Sequence, residues 1–237
     1  MKRIIKISLI LLLVGMAVIA TVPFLKEKRA EKKYENDFKK IQESVTEKKS
    51  DVNGLVKKNK DCIGYVEIPG TTISYPVMQT KDKPDFYLNH DFNRNYSFYG
   101  TPYLSAYCDV EKSDNLIIYG HNINGGKMFG ALEQYKDKEF FYKHRKIYFT
   151  TDKKREYEVF AVMSVNIHEF EYWKFVMARD AKEYDEFVDK VEEHSLWRQG
   201  NKPKYGEQMM MMMSTCDNGK GDDWRIAIVG KIIVQYY

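Results

Sequence analysis

Two residues near the C-terminus have the types and spacing that acyl transfer requires. Cys216 ends an apolar run that begins at Met209, and Arg225 opens the next one, with the polar, glycine-bearing stretch Asp217 to Trp224 (DNGKGDDW) between them. Such a stretch reads as the connection of a β-hairpin, and residues at its two mouths become neighbours. A thiol is a weak nucleophile until a base or a cation activates it. His121, in the segment IIYGHN, is the best-placed imidazole, because it follows the run Asn115 to Tyr119 (NLIIY) and a glycine at a strand end. Arg225 stays protonated and serves as a fixed donor to a developing oxyanion, not as a base.

The electrostatics of this trio limit its speed. With ordinary pKa values of roughly 8.5 and 6.5, the thiolate–imidazolium form is about 1% of the neutral pair. Asp217, Asp222 and Asp223 lie close to Cys216 in sequence and oppose a thiolate. His90, His144, His168 and His194 have no comparable setting. Cys62 and Cys108 read as buried small hydrophobes. Three cysteines without CxxC spacing argue against both a disulfide framework and a zinc site.

A chain of 237 residues suits one good-sized domain with accessory segments. Its net charge of +4 is partly local, since Lys26 to Lys33 (KEKRAEKK) holds five bases and two acids. That cluster directly follows an apolar stretch and points to lipid headgroups, not nucleic acid. Ile7 to Leu25 runs nineteen residues without a charge after Lys2, Arg3 and Lys6. As a helix it spans about 28 Å, close to the hydrocarbon core of a bilayer. A signal peptide with its cleavage site near Val18-Ile19-Ala20 is the rival reading, but its apolar region is usually shorter. Residues 1–25 are therefore expected to anchor the chain, and residues 26–60 to form one or two helices, with Tyr34, Phe38, Ile41, Val45, Val52 and Leu55 on an apolar face.

From residue 61 the pattern changes to short apolar runs broken by turn residues. CIGYVEI, TTISYPVM, NLIIYG, KIYFTT, REYEVFAVMSV, QMMMMMSTC and RIAIVGKIIVQYY read as strands. Seven or eight strands in this length suggest a closed or nearly closed barrel, mostly β with peripheral helices. Met128 to Tyr135 (MFGALEQY) reads as a short helix, and Asp180 to Trp197 as a longer one with Tyr184, Phe187, Val188, Val191 and Leu196 on one face. The five methionines Met209 to Met213 read as a strand covered on both faces.

Ser214-Thr215-Cys216, Arg225 nine residues later in WRIAIVGKII, and Tyr119-Gly120-His121 upstream resemble the Cys, Arg and His signature of the sortase family. Lys127 to Leu132 (KMFGAL), the late long helix and the helical residues before the barrel resemble class B. The resemblance covers residues 61–237. It implies an eight-stranded β-barrel enzyme, anchored in the membrane with its catalytic domain on the cell-wall face of a Gram-positive bacterium, and needing neither cofactor nor metal. It further implies transpeptidation of exported proteins at a C-terminal sorting signal of NPxTx type, cleaved after Thr. The acceptor would be an amine of a peptidoglycan precursor or a pilin. Cys216 would be the nucleophile, His121 the general acid and base, and Arg225 the oxyanion ligand. Ser214, Thr215, Tyr119 and Leu88 would line the peptide groove. The usual Thr-Leu ahead of the x-Thr-Cys is replaced by Met212-Met213, and Lys81 to Asn89 (KDKPDFYLN) departs from the familiar pattern. A cysteine endopeptidase with the same three residues and a non-catalytic factor for sorting-signal binding or pilus assembly are the competing functions.

Overall fold

The computed structural model describes residues 2–46, 52–207 and 209–236. Met1–Lys49 and Ser50–Tyr237 are separate units. The first is helix α1 (Lys2–Thr46), which contains Pro23. Among the described residues, no helix is long and apolar enough to cross a membrane. The side chains of residues 1–5, 8–11, 13, 14 and 20, much of the apolar run, lie outside the described ones. So do those of Tyr34, Phe38, Ile41 and Val45, and residues 47–51 as a whole. Helix α2 (Val52–Lys58) belongs to the second unit, where it buries Val52 and Leu55.

The second unit is built on strands β1 (Cys62–Glu67), β2 (Ser74–Met78), β3 (Tyr103–Leu104), β4 (Asn115–Tyr119), β7 (Lys146–Thr150), β8 (Lys154–Asn166), β10 (Met210–Cys216) and β11 (Trp224–Tyr236). They follow one another as β11-β10-β4-β3-β2-β1-β7-β8, and β8 pairs back onto β11. The ring is therefore a closed, eight-stranded mixed barrel; the apolar runs predict seven or eight strands in a closed or nearly closed barrel, and the sortase resemblance predicts eight. Closure removes the free edges that an open sheet of this length would expose. Strand β9 (Ser195–Arg198) continues the β7 edge of β8. A small hairpin of β5 (Asn122–Ile123) and β6 (Lys127–Met128) stands apart.

Both helical readings are met, with differences of type and length. The MFGALEQY segment is a 3₁₀ helix (Phe129–Lys136), followed by α3 (Lys138–Lys143). The late helix, α4 (Ala181–Glu193), starts at the expected Asp180, whose side chain accepts from the Glu183 N–H, but ends before Leu196. Ser195 Oγ donates to the Val191 carbonyl, occupying an end carbonyl, and Ser195-Leu196-Trp197 turns into β9. Leu196 is accordingly 40% exposed and off the helix face, whereas Tyr184, Phe187, Val188 and Val191 are buried.

Strand β10 carries the most weight for the site. It runs parallel to β4 on one side and antiparallel to β11 on the other. Met210, Met211, Met212 and Met213 are all fully buried, as a strand covered on both faces requires. Strand β3 has only two residues, too short for any periodicity to reveal.

Candidate active site

The register of the barrel brings Cys216 and Arg225 together. They are direct partners across β10 and β11. The Asp217 N–H donates to the Trp224 carbonyl at 2.9 Å, which makes 217 and 224 the hydrogen-bonded pair. Cys216 and Arg225 therefore form a non-hydrogen-bonded pair, the closer kind, with both side chains on one face. The same bond occupies the N–H that follows the thiol, so it is not available to an oxyanion.

His121 arrives from the other neighbour of β10. Parallel pairing sets Ser214 opposite Tyr119, and the Gly120 N–H donates to the Ser214 carbonyl at 3.2 Å. His121 is thus the second residue beyond β4, at the end of the barrel where β10 delivers Cys216. Gly120 has no room for a side chain, since a Cβ would lie 2.7 Å from the Phe129 ring. Met128 takes a left-handed φ of 51°, and the Phe129 N–H after it donates to the His121 carbonyl at 2.9 Å. The histidine backbone is held from both sides.

The imidazole is also fixed. Its Nε2 lies 2.8 Å from the Leu88 carbonyl, which can only accept, so Nε2 carries a proton and Nδ1 is left for chemistry. The Phe98 ring lies nearly parallel to it, with centroids 6.4 Å apart. Burial lowers the His121 pKa, although the Leu88 bond opposes this. The imidazole is therefore favoured in its neutral form.

A cleft of about 400 Å³ receives all three side chains. Leu88, Tyr119, Ser214 and Thr215, each expected in the groove, line it too. Ser214 Oγ and the Tyr172 hydroxyl are 2.6 Å apart. Thr215 Oγ is buried and has no partner among the described residues. The sequence reading missed Tyr103, Ile167, Tyr172 and Trp173, which complete the walls. No spacing marks them, because they reach the cleft from a two-residue strand, the residue just past β8 and a single 3₁₀ turn, Tyr172–Lys174.

Asp217 and Asp223 have partners of their own. The Asp217 side chain is fully buried, with Oδ1 on Lys136 and Oδ2 accepting from Ser164 at 2.7 Å. Desolvation pushes its pKa up, but the bonds from Lys136 and Ser164 together outweigh it and leave the carboxyl below its ordinary value. Asp223 faces His168 at 3.7 Å. The Arg225 guanidinium donates to the backbone carbonyls of Asp222 and Trp224, not to an aspartate carboxylate. Asn122, next to His121, donates to the Cys216 carbonyl and to Glu133, both at 2.8 Å, and Glu133 in turn pairs with Lys136. A polar chain thus runs from beside the histidine to the nucleophile's backbone and on to Asp217.

The remaining candidates are structural. His90 and His144 bond the carbonyls of Phe86 and Pro69, and His194 caps α4 and stacks on Phe170. Burial pushes the Cys62 thiol up to about 12 and the Cys108 thiol up to about 11, so both stay protonated.

Two variants test these supports. Gly100, at φ 60°, lies so close to Leu88 that a Cβ would fall 2.3 Å from the carbonyl holding His121. Gly100→Ala should displace that carbonyl and lower kcat/KM by roughly 10- to 100-fold; an unchanged value would show that Leu88 does not position the ring. Lys136→Met leaves Asp217 uncompensated and should raise the Cys216 thiol pKa, read from the pH dependence of iodoacetamide alkylation. Adding Asp217→Asn should return it towards the starting value, and failure to do so would detach this ion pair from the thiol.

Comparison with known proteins gives a consistent picture. The Sortase domain family model matches residues 66–233. Sortase B of Listeria monocytogenes is 31% identical over 192 residues, covering 80% of this chain and 76% of its own. The structure of a Staphylococcus aureus sortase B–substrate complex superposes with a TM-score of 0.76 at 27% identity, covering 88% of this chain and 98% of that one. A structure of sortase B complexed with triglycine gives 0.75 at 28%, covering 87% and 98%.

Proposed function

The chain belongs to the sortase family as a class B sortase, a cysteine transpeptidase, and on that premise we propose that Cys216, His121 and Arg225 carry its reaction. The observation that supports this most directly is the cross-strand pairing of Cys216 with Arg225 in a cleft that His121 also lines.

In this reading Cys216 Sγ attacks the carbonyl carbon of the scissile amide while its proton passes to His121 Nδ1. The oxyanion meets the Arg225 guanidinium, whose backbone tethers hold it beside the thiol. Among the described residues no lysine or second arginine lines the cleft, and the Asp217 N–H is committed to the hairpin ladder. Collapse of the intermediate breaks the C–N bond, and the proton on Nδ1 leaves with the departing amine. The thioester is then resolved by an acceptor amine, which gives its proton to the same nitrogen and reaches the product through the reverse sequence.

We assign the acyl donor as an exported protein with a C-terminal sorting signal of NPxTx type, cleaved after Thr, and the acceptor as a cell-wall or pilin amine. The substrate and triglycine complexes of similar sortase B proteins support a peptide donor and an amine acceptor. Leu88, Tyr119, Ser214 and Thr215 are the residues we assign to the donor groove.

Mass spectrometry of products from the full-length protein, a panel of sorting peptides and candidate amines tests this reading. Amine-dependent ligation products are expected. Equal cleavage with and without amine would favour a plain endopeptidase. Cys216→Ala should keep peptide binding and lose all turnover. Arg225→Lys should lose roughly 10²- to 10³-fold in kcat with the fold intact, because an ammonium does not reproduce a planar, multi-donor contact; near-normal turnover would sink its oxyanion role.

We further propose that residues 1–25 anchor the protein in the membrane, with 26–60 as a juxtamembrane helical segment and 61–237 as the catalytic barrel outside the cell. The nineteen uncharged residues Ile7 to Leu25 and the basic cluster after them support this. Cell fractionation should place the full-length protein with the membrane, and protease added to protoplasts should degrade the barrel. Recovery in the culture fluid with a cleaved N-terminus would favour a signal peptide instead.

A further inference from the structure

A second cavity, of about 340 Å³, opens beside the cleft and shares Tyr103, Tyr119 and Trp173 with it. Asp85 and Tyr107 belong to the second cavity alone. The Tyr103 hydroxyl donates to Asp85 Oδ1 at 3.1 Å. Burial and the Asp85 charge push the Tyr103 pKa up, so the phenol remains a donor and holds the carboxylate in place. Lys83, two residues away, is turned over the Phe86 ring. Among the described residues no cation is bonded to Asp85. Tyr107 stands at the surface, 81% exposed.

A carboxylate fixed among aromatic rings is suited to a cation, which gains a charge-assisted bond from the first and ring quadrupoles from the second. Cys216, His121 and Arg225 are absent from the walls of this cavity. The departing and entering amine nitrogens must both exchange a proton with His121, so neither nitrogen lodges there. Tyr119, which we assign to the donor groove, is shared by both cavities and leads the acyl side of the donor, which stays on the enzyme after the first step, towards this one.

We propose that this cavity is a specificity subsite in which Asp85 receives a lysine or arginine side chain of the donor peptide, on the N-terminal side of the scissile bond. The proposal rests on reading the main cleft as a peptide transpeptidation site. Remote contacts of this kind select substrates without entering the bond-making step.

The test uses the full-length protein and sorting peptides carrying a single lysine, norleucine or glutamate at each upstream position in turn. At one position lysine should exceed norleucine in kcat/KM by roughly five- to thirtyfold. Asp85→Asn should bring that ratio close to one. Asp85→Lys should reverse the preference towards glutamate, which also shows that the variant is folded. Turnover without a lysine advantage at any position, or an advantage that survives Asp85→Asn, overturns the subsite alone. A preference that moves to the acceptor amine on substitution of Asp85 also overturns it. Absence of turnover with every peptide overturns the reading of the cleft and the subsite with it.

Discussion

The parallel pairing of β4 with β10, inside a barrel whose other long pairings are antiparallel, is the constraint on which the site depends. Parallel neighbours end on the same side, so the segments leaving β4 and β10 emerge together. His121 and Cys216 can then share a cleft although they lie far apart along the chain. The antiparallel return of β11 supplies the third side chain at no further topological cost, because the residue opposite Cys216 is set by register alone. A slip of one residue in β11 would turn Arg225 to the other face. Ile226, Ala227, Ile228 and Val229 of β11 are fully buried and make such a slip expensive, since each would leave its packed site.

Behind the reactive face, polar groups solve a problem created by the hairpin sequence. An aspartate directly after the nucleophile would oppose a thiolate if its charge stood free. Strand alternation sends Asp217 to the opposite face, and Lys136 with Ser164 balances and binds it there. Burying such a pair costs desolvation, and its value here is positional more than energetic. Through Glu133 and Asn122 it also fixes the Cys216 carbonyl. The 3₁₀ helix that supplies Glu133 and Lys136 is the same element that donates Phe129 N–H to His121. One short helix therefore steadies both reacting side chains.

Much of this is legible in the residues. The long strands follow from alternation and β-branched content, and Asp180 marks the start of α4 through its capping geometry. The Cys216–Arg225 loop reads as a hairpin because polar and glycine residues interrupt two apolar runs. What escapes has no periodic signature. Strand β3 is two residues long, and Tyr172 and Trp173 sit in a single 3₁₀ turn, Tyr172–Lys174, too short to carry a periodic pattern. Leu196 fits a helix face in the sequence because a 3.6-residue pattern and a two-residue pattern coincide over so short a stretch. The acidity of the loop suggests a more hostile setting for the thiol than the fold permits, since sequence proximity carries no information about which face a side chain takes.

The burial of Cys62 and Cys108 bears on redox chemistry. Their thiols keep their protons in the packed interior, Cys62 on β1 and Cys108 in the connection from β3 to β4, while Cys216 is partly open to solvent. An oxidant meeting this fold therefore finds one accessible thiol and no internal thiol partner able to resolve its sulfenic acid into a disulfide. Recovery from oxidation must come from an external thiol or reductant, and without one the damage proceeds to irreversible sulfinic and sulfonic acids.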